Sequence, residues 1–333
     1  MGFVYVANED DATVSVIATS TNSVIATVPV GGRPVGMVTT PDGKFVYVAN
    51  GLDATVSVIA TSTNSVIATV PVGNDPVGMV ITPDGKFVYV TNGDDATVSV
   101  IATSTNSVIA TVPVGGRPVG MVTTPDGKFV YVANGDDATV SVIAISTNSV
   151  IAIVPVGDSP LNIVTTPDGK FVYVKNSDNT VSVIATSTNS VIATVPVGDD
   201  PIPIEITPDG KFVYVANQDD ATVSVIATST NSVIATVPVG NLPDFSIEIT
   251  PDGKFVYVTN GGDATVSVIA TSTNSVIATV PVGGNMVITP DGKFVYVANA
   301  NDNTVSVIST STNSVIATVP VGLFPFAIVI TPK

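Results

Sequence analysis

Two glutamates are the residues of this 333-residue chain best placed to do chemistry. Glu205 and Glu248 stand in a column that neighbouring repeats fill with Val38, Val80, Val122, Val164, Val287 and Val329. A lone carboxylate on an apolar strand is costly to bury. The pair therefore calls for a partner, a water-filled channel or a shared cation. Paired carboxylates also leave acid–base hydrolysis open. Much else is excluded. The chain has no His, Cys or Trp, which rules out Ser-His-Asp and Cys-His arrangements, His-based metal sites and disulfides. No segment reads as a helix, so no Gly-rich phosphate loop can open one.

The elements that must position these residues come from a repeat. The word FVYV begins at Phe3, Phe45, Phe87, Phe129, Phe171, Phe212, Phe255 and Phe294, with spacings of 42, 42, 42, 42, 41, 43 and 39. One full unit is easily read from Thr124 to Val164. It is rich in Val, Ile, Thr and Tyr and broken by Pro, Gly, Asn and Asp, which is strand and turn chemistry. A period near 42 made of four short strands is what a propeller blade requires. In the first unit Phe3–Val6, Thr13–Ile17 and Val24–Val30 read as the second, third and outer strands. Segments such as Gly36–Thr40, just before each TPDGK, read as inner strands. The first unit has none of its own, and Phe326–Thr331 stands alone at the other end. These two ends are expected to complete one sheet and close the ring. Tyr5, Tyr47 and their equivalents are expected in the core with a bonded hydroxyl. Phe245, Phe324 and Phe326 read as closure or core residues.

Turn chemistry agrees with this reading. In TPDGK, Pro presets one dihedral and Gly supplies a positive one, giving a tight hairpin. Hydroxyls and Asn of TSTNS are expected to bond their own turn backbone. Antiparallel strands send the TPDGK and TSTNS turns to one face, and the NGDDAT-type and VGGRP-type loops to the other. The first face holds seven Asp, seven matching Lys and Lys333. The second holds Glu9, Asp10, Asp11, Asp53, Asp94, Asp95, Asp136, Asp137, Asp178, Asp219, Asp220, Asp263 and Asp302, and also Asp75, Asp158, Asp199, Asp200 and Asp244. Against these eighteen acids stand only Arg33, Arg117 and Lys175. Nearly all of the net charge of −16 is thus assigned to one face. Such a face repels nucleic acid and anionic membrane and attracts cations or a basic partner. Ca²⁺ is a candidate ligand by its preference for hard oxygens, although NGDDAT lacks EF-hand spacing. The alternative is that these Asp cap turns and keep an apolar chain soluble.

The words FVYVAN, TVSVIATSTNSVIATVPVG and TPDG resemble the YVTN-family β-propeller repeat of surface-layer and other cell-envelope proteins, over essentially the whole chain. The resemblance implies a propeller and a location at the cell surface. Two departures are plain. The family's well-known surface-layer example has seven blades. Its repeats often carry Asp after the VSVI strand, where this chain has Ala18, Ala60, Ala102, Ala144, Ala185, Ala227, Ala270 and Ser309. Met1-Gly2 leads straight into the first strand with no signal peptide, which leaves a cytoplasmic location or a trimmed leader open.

The expectation is a single all-β domain over residues 1–333, an eight-bladed β-propeller with four antiparallel strands per blade. Blade 1 joins 3–30 to 326–331. The expected function is a non-catalytic cell-surface or interaction scaffold that presents an acidic face to a basic protein or cell-envelope partner, or to cations. No nucleic acid, membrane insertion or cofactor other than Ca²⁺ is expected. Arg33 and Arg117 would set the orientation of the partner. One alternative is a lactonase-like propeller hydrolase using the channel carboxylates. Another is a purely structural or engineered repeat scaffold.

Overall fold

The computed structural model describes residues 2–332; Lys333, counted above on the TPDGK face, lies outside them. Eight four-stranded antiparallel sheets follow one another as blades. In blade 2 the order from the axis outward is Pro34–Thr39, Phe45–Asn50, Thr55–Ala60 and Ser65–Pro71. Blades 6, 7 and 8 begin at the inner strands Pro201–Ile206, Pro243–Ile249 and Asn285–Ile288. Blade 1 takes its inner strand, Pro325–Ile330, from the other end of the chain, with Val4 opposite Ile330 and Tyr5 opposite Val329. Thr331 N–H donates to Phe3 O at 2.9 Å, as Thr40 N–H does to Phe45 O within an intact TPDGK hairpin. Phe3 N–H in turn donates to Thr331 Oγ1 at 2.9 Å. The closure therefore keeps the hairpin's hydrogen bonds and omits only its turn.

The second strand shows why the sheets stack. Its alternation sends Val4 and Val6 into the seam with blade 8, and Tyr5 and Ala7 into the seam with blade 2. Each seam is lined mainly by Val, Ile and Tyr, and each fully buried Val or Ile contributes roughly 1.5–3 kcal/mol. The tyrosines are fully buried, which pushes their phenols up to about 12. Every Tyr O–H donates to the Asn Oδ1 of the next blade's TSTNS turn: Tyr5 to Asn64 at 2.7 Å, and so on to Tyr296, which reaches Asn22 at 2.6 Å across the closure. This corrects the expectation for TSTNS. The Asn adopts the left-handed conformation (Asn22 φ 49°), which frees its side chain for the neighbouring blade. The first Thr, not the Asn, ties the turn to backbone, Thr61 Oγ1 donating to Gly43 O at 2.8 Å.

Inner strands approach one another most closely. A Cβ on Gly36, Gly78 or Gly120 would lie 2.0–2.3 Å from the carbonyl oxygen of Val77, Val119 or Leu161 in the next blade. Only glycine fits such a contact. In blades 5 and 8 the column holds Asn162 and Asn285, whose Nδ2 atoms instead donate to Ile202 O at 2.8 Å and Phe326 O at 3.0 Å. At the rim, a β-bulge between the third and outer strands leaves one Ile per blade pointing outward, such as Ile25 and Ile67. A bulge of this kind twists an edge and discourages edge-to-edge pairing. No helix among the described residues is long and apolar enough to cross a membrane, which says nothing of β-barrels.

Candidate functional site

Glu205 lies opposite Tyr214 on the inner strand of blade 6, and Glu248 opposite Tyr257 on that of blade 7. In other blades the valine of this column, such as Val38 or Val164, covers the seam beside the buried Tyr. Both carboxylates thus stand at the axial end of two consecutive seams, half-buried. Glu205 Oε1 accepts the Ile206 N–H at 3.0 Å. Glu248 accepts the backbone N–H of Ile288 in blade 8. Desolvation pushes Glu205 up to about 7 despite that bond. Glu248 rises to about 8, first by desolvation and then by the charge of Glu205. Near neutral pH each is therefore only partly ionised, the state in which a carboxyl can serve as either acid or base.

The loop face has a structural division of labour. In blades 1 to 7 the last Asp of the loop between second and third strands clasps the loop that enters the same blade. Asp53 Oδ2 accepts Gly32 N–H at 2.7 Å, Asp95 accepts Asn74 N–H at 2.7 Å, and Asp137 accepts Gly116 N–H at 2.6 Å. Asp220, Asp263 and Asp11 do the same for Asp199, Asn241 and Leu323, and Asp178 does so weakly at 3.4 Å. Backbone donors hold Asp95 and Asp263 below the usual carboxylate range. Asp10, Asp94, Asp136 and Asp219, one position earlier, are exposed and accept no side-chain hydrogen bond among the described residues. Arg33 pairs with Glu9 at 3.2 Å and Asp75 at 3.5 Å; Arg117 makes no ion pair among the described residues. On the opposite face every TPDGK Asp pairs with its own Lys, as Asp84 does with Lys86 at 2.9 Å. Hydrogen bonds from Thr82 and Lys86 lower Asp84 to about 2. Among the described residues no three acidic side chains gather as a metal-binding group.

Two features were missed in the sequence. Phe245 and Phe324 are 45% and 36% exposed, so neither is a core residue; Phe324 sits in the loop entering the inner strand of blade 1, and Phe245 in the blade 7 inner strand where its register slips between Pro243 and Ile247. Between blades 7 and 8 the loop face opens into a cleft of about 620 Å³ lined by Phe245, Phe326, Asn299 and Asp302. Its only signal in the sequence is the short 39-residue spacing before Phe294.

The fold is widely shared. Hydrazine synthase of Kuenenia stuttgartiensis is 24% identical with a TM-score of 0.69, over 84% of this chain and 96% of that one. Dihydro-heme d1 dehydrogenase NirN, solved in complex with DHE, is 17% identical with a TM-score of 0.86, over 98% of this chain and 74% of that one. A functionally unknown protein of Desulfotomaculum acetoxidans DSM 771 is 22% identical with a TM-score of 0.69, over 87% of this chain and all of that one. At these identities the likeness is one of fold. No curated protein matches by sequence. The family described as "Lactonase, 7-bladed beta-propeller" matches residues 1–107, 37–152, 155–237 and 244–317, the overlap of the first two spans reflecting the repeat itself. This chain therefore belongs to the seven-bladed β-propeller lactonase family, and carries eight blades where the family description has seven.

Proposed function

We propose that the propeller is an interaction module of the cell envelope that takes a cationic protein partner on its loop face. One observation carries this reading. The Asp residues of the TPDGK face are each neutralised by an adjacent Lys, whereas the loop face leaves Asp10, Asp94, Asp136 and Asp219 exposed and unpaired. A one-signed face steers and holds partners of opposite charge, less so as salt rises. A short polylysine peptide is the probe. It should bind saturably at low ionic strength, and changing those four Asp to Asn should weaken it several-fold. Equal affinity in both chains would sink the proposal. Ca²⁺ competition in the same titration tests whether the face also takes metal.

Family membership and the Glu205–Glu248 pair favour a second reading, lactone hydrolysis at the axis. There one carboxylate would activate water and the other would protonate the leaving alkoxide. A panel of lactones assayed with the native chain and with Glu205→Gln plus Glu248→Gln decides it. Hydrolysis that survives both changes, or is absent throughout, removes it.

A further inference from the structure

Among the described residues, large apolar side chains stand exposed in two places. One is the rim, where each outer strand turns one Ile outward, with Ile153 and Val315 beside that row. The other is the loop face, and there they are confined. Leu52 is 72% exposed, Leu323 49% and Leu242 43%, and Phe245 and Phe324 complete the set. All five belong to blades 7, 1 and 2, which with blade 8 form one arc of the ring. Blades 3 to 6 present none on this face. Scattered exposed apolar residues are ordinary, but a set gathered on one side is informative.

Each of the five departs from the repeat. Leu52 stands in the column of Asp10, Asp94, Asp136 and Asp219. Leu323 and Phe324 stand where blade 3 has Asn74 and Asp75, and Leu242 shares the column of Asp75 and Asp200. That column demands a left-handed backbone, with φ 51° at Leu242 and 52° at Phe324, which a bulky side chain adopts at a cost. Phe245 falls in a stretch, Pro243 to Ile247, one residue longer than its counterpart Pro34 to Met37. Neither packing nor backbone of the free ring is served by these choices. Blade 8 supplies the shape. Its entering loop is three residues shorter, Gly283-Gly284-Asn285 standing where blade 2 has Gly31-Gly32-Arg33-Pro34-Val35-Gly36. The cleft left there is lined by Phe245 of blade 7 and by Phe326 of blade 1, so those two blades face each other across it.

We propose that this arc docks a segment of a cationic protein in which large apolar side chains are flanked by Lys or Arg. The proposal rests on the loop-face reading and states what that partner carries besides charge. Charge complementarity selects it. Exposed Asp10, Asp11, Asp263 and Asp302 stand in the loops of the same blades, and no basic side chain lines the cleft. An apolar centre within a charged surround is the anatomy of a protein interface, where a few buried anchors supply most of the affinity. A second copy of this chain does not fit. Of its eleven basic residues, seven are paired inside TPDGK turns, Lys175 is buried and Arg33 is held by Glu9 and Asp75. Two loop faces brought together would set acid against acid.

The test is an anisotropy titration of two dye-labelled, amidated peptides of equal charge, KKLKKFKK and KKSKKSKK, with the full chain. KKLKKFKK should bind about tenfold more tightly, and should still bind at a salt concentration that abolishes KKSKKSKK. Leu323→Asn plus Phe324→Asp writes blade 3's Asn74-Asp75 into the loop, a pair the fold already carries at that place. That change should cost KKLKKFKK about tenfold, while KKSKKSKK, offered one more acid, binds no worse. Leu242→Asp plus Phe245→Ser should act in the same direction. Equal affinity of the two peptides for the native chain, or a loop change that leaves KKLKKFKK untouched, overturns the arc. If KKSKKSKK still binds in that case, the acidic face stands without it. KKLKKFKK binding that depends on Leu323 and Phe324 while KKSKKSKK does not bind keeps the arc and removes the broad face. Uptake of the protein by phosphatidylcholine vesicles, lost on the same loop change, would assign the arc to lipid and overturn the proposal.

Discussion

Replacing Glu205 and Glu248 by Val, the residue of the other six blades, should raise stability at pH 8 and hardly change it at pH 4.5. Below pH 4.5 both glutamates are protonated whether the chain is folded or not. As pH rises, the unfolded chain ionises near the ordinary value of 4.5 while the folded ring holds its protons until about 7 and about 8. Each increment of pH in that window therefore favours unfolding, and above about 8 the penalty is constant. At about 1.4 kcal/mol per pH unit, ionised Glu205 costs roughly 3 kcal/mol and Glu248 roughly 5 kcal/mol. The two are not additive, because part of the rise of Glu248 is the charge of Glu205. Both side chains also keep some access to water at the axis. A combined effect of about 4 kcal/mol is expected at pH 8. Urea unfolding followed by tyrosine fluorescence and far-UV dichroism at pH 4.5, 6, 7 and 8.5 measures it. The native midpoint should fall across this series relative to the double variant. Parallel midpoint curves would show that neither carboxylate is desolvated in the folded ring, and would refute the reasoning, including the acid–base pair.

Lys175 is 1% exposed where other blades have Ala7, Ala49 or Thr91, and burial lowers its pKa although Asp200 opposes the shift. The unfolded chain therefore binds the proton more tightly, so native stability should rise with pH through the window just below 10.5. Lys175→Ala should flatten that rise and be more stable at pH 7, as chemical denaturation would show. Tyr296→Phe removes the O–H donor to Asn22 across the closure and should cost about 1 kcal/mol; thermal unfolding beside Tyr89→Phe tells whether the closing seam is weaker than an internal one. Gly78→Ala places a Cβ about 2.0 Å from Val119 O and should cost about 2–3 kcal/mol by forcing two inner strands apart, read as a lower denaturation midpoint.

Much of the fold was legible because each strand's identity is local. FVYV and TVSVI carry their own β propensity, and the unmatched Phe326–Thr331 segment announces a ring closed by both chain ends. Contacts between blades were less so. The Asn of TSTNS reads as a turn residue because its role there is visible in five letters, while its Tyr partner lies 56–60 positions away for most blades. At the candidate site, comparison down one column picks out Glu205 and Glu248 as departures from Val. Their place at the ends of two seams, and the Ile288 amide that meets Glu248, needed the ring geometry. The blade 7–8 cleft was the least legible. A period of 39 says that three residues are missing. It does not say that Asp302 thereby loses its clasp, because the clasp by which Asp53 holds Gly32 exists only once two loops lie side by side.

The closure has a consequence for how the chain can be rewired. Phe3 and Thr331 make the same hydrogen bonds across the gap that Phe45 and Thr40 make around a turn. A Pro-Asp-Gly-Lys bridge written between Thr331 and Phe3 would therefore turn the ring into one with eight equivalent inner turns. New termini could then be cut at any of the other seven. Circular permutants opened at Asp42, Asp126 or Asp209 should fold to the same ring. They would allow a fused cargo to be carried beside any chosen blade, on the face opposite the entering loops.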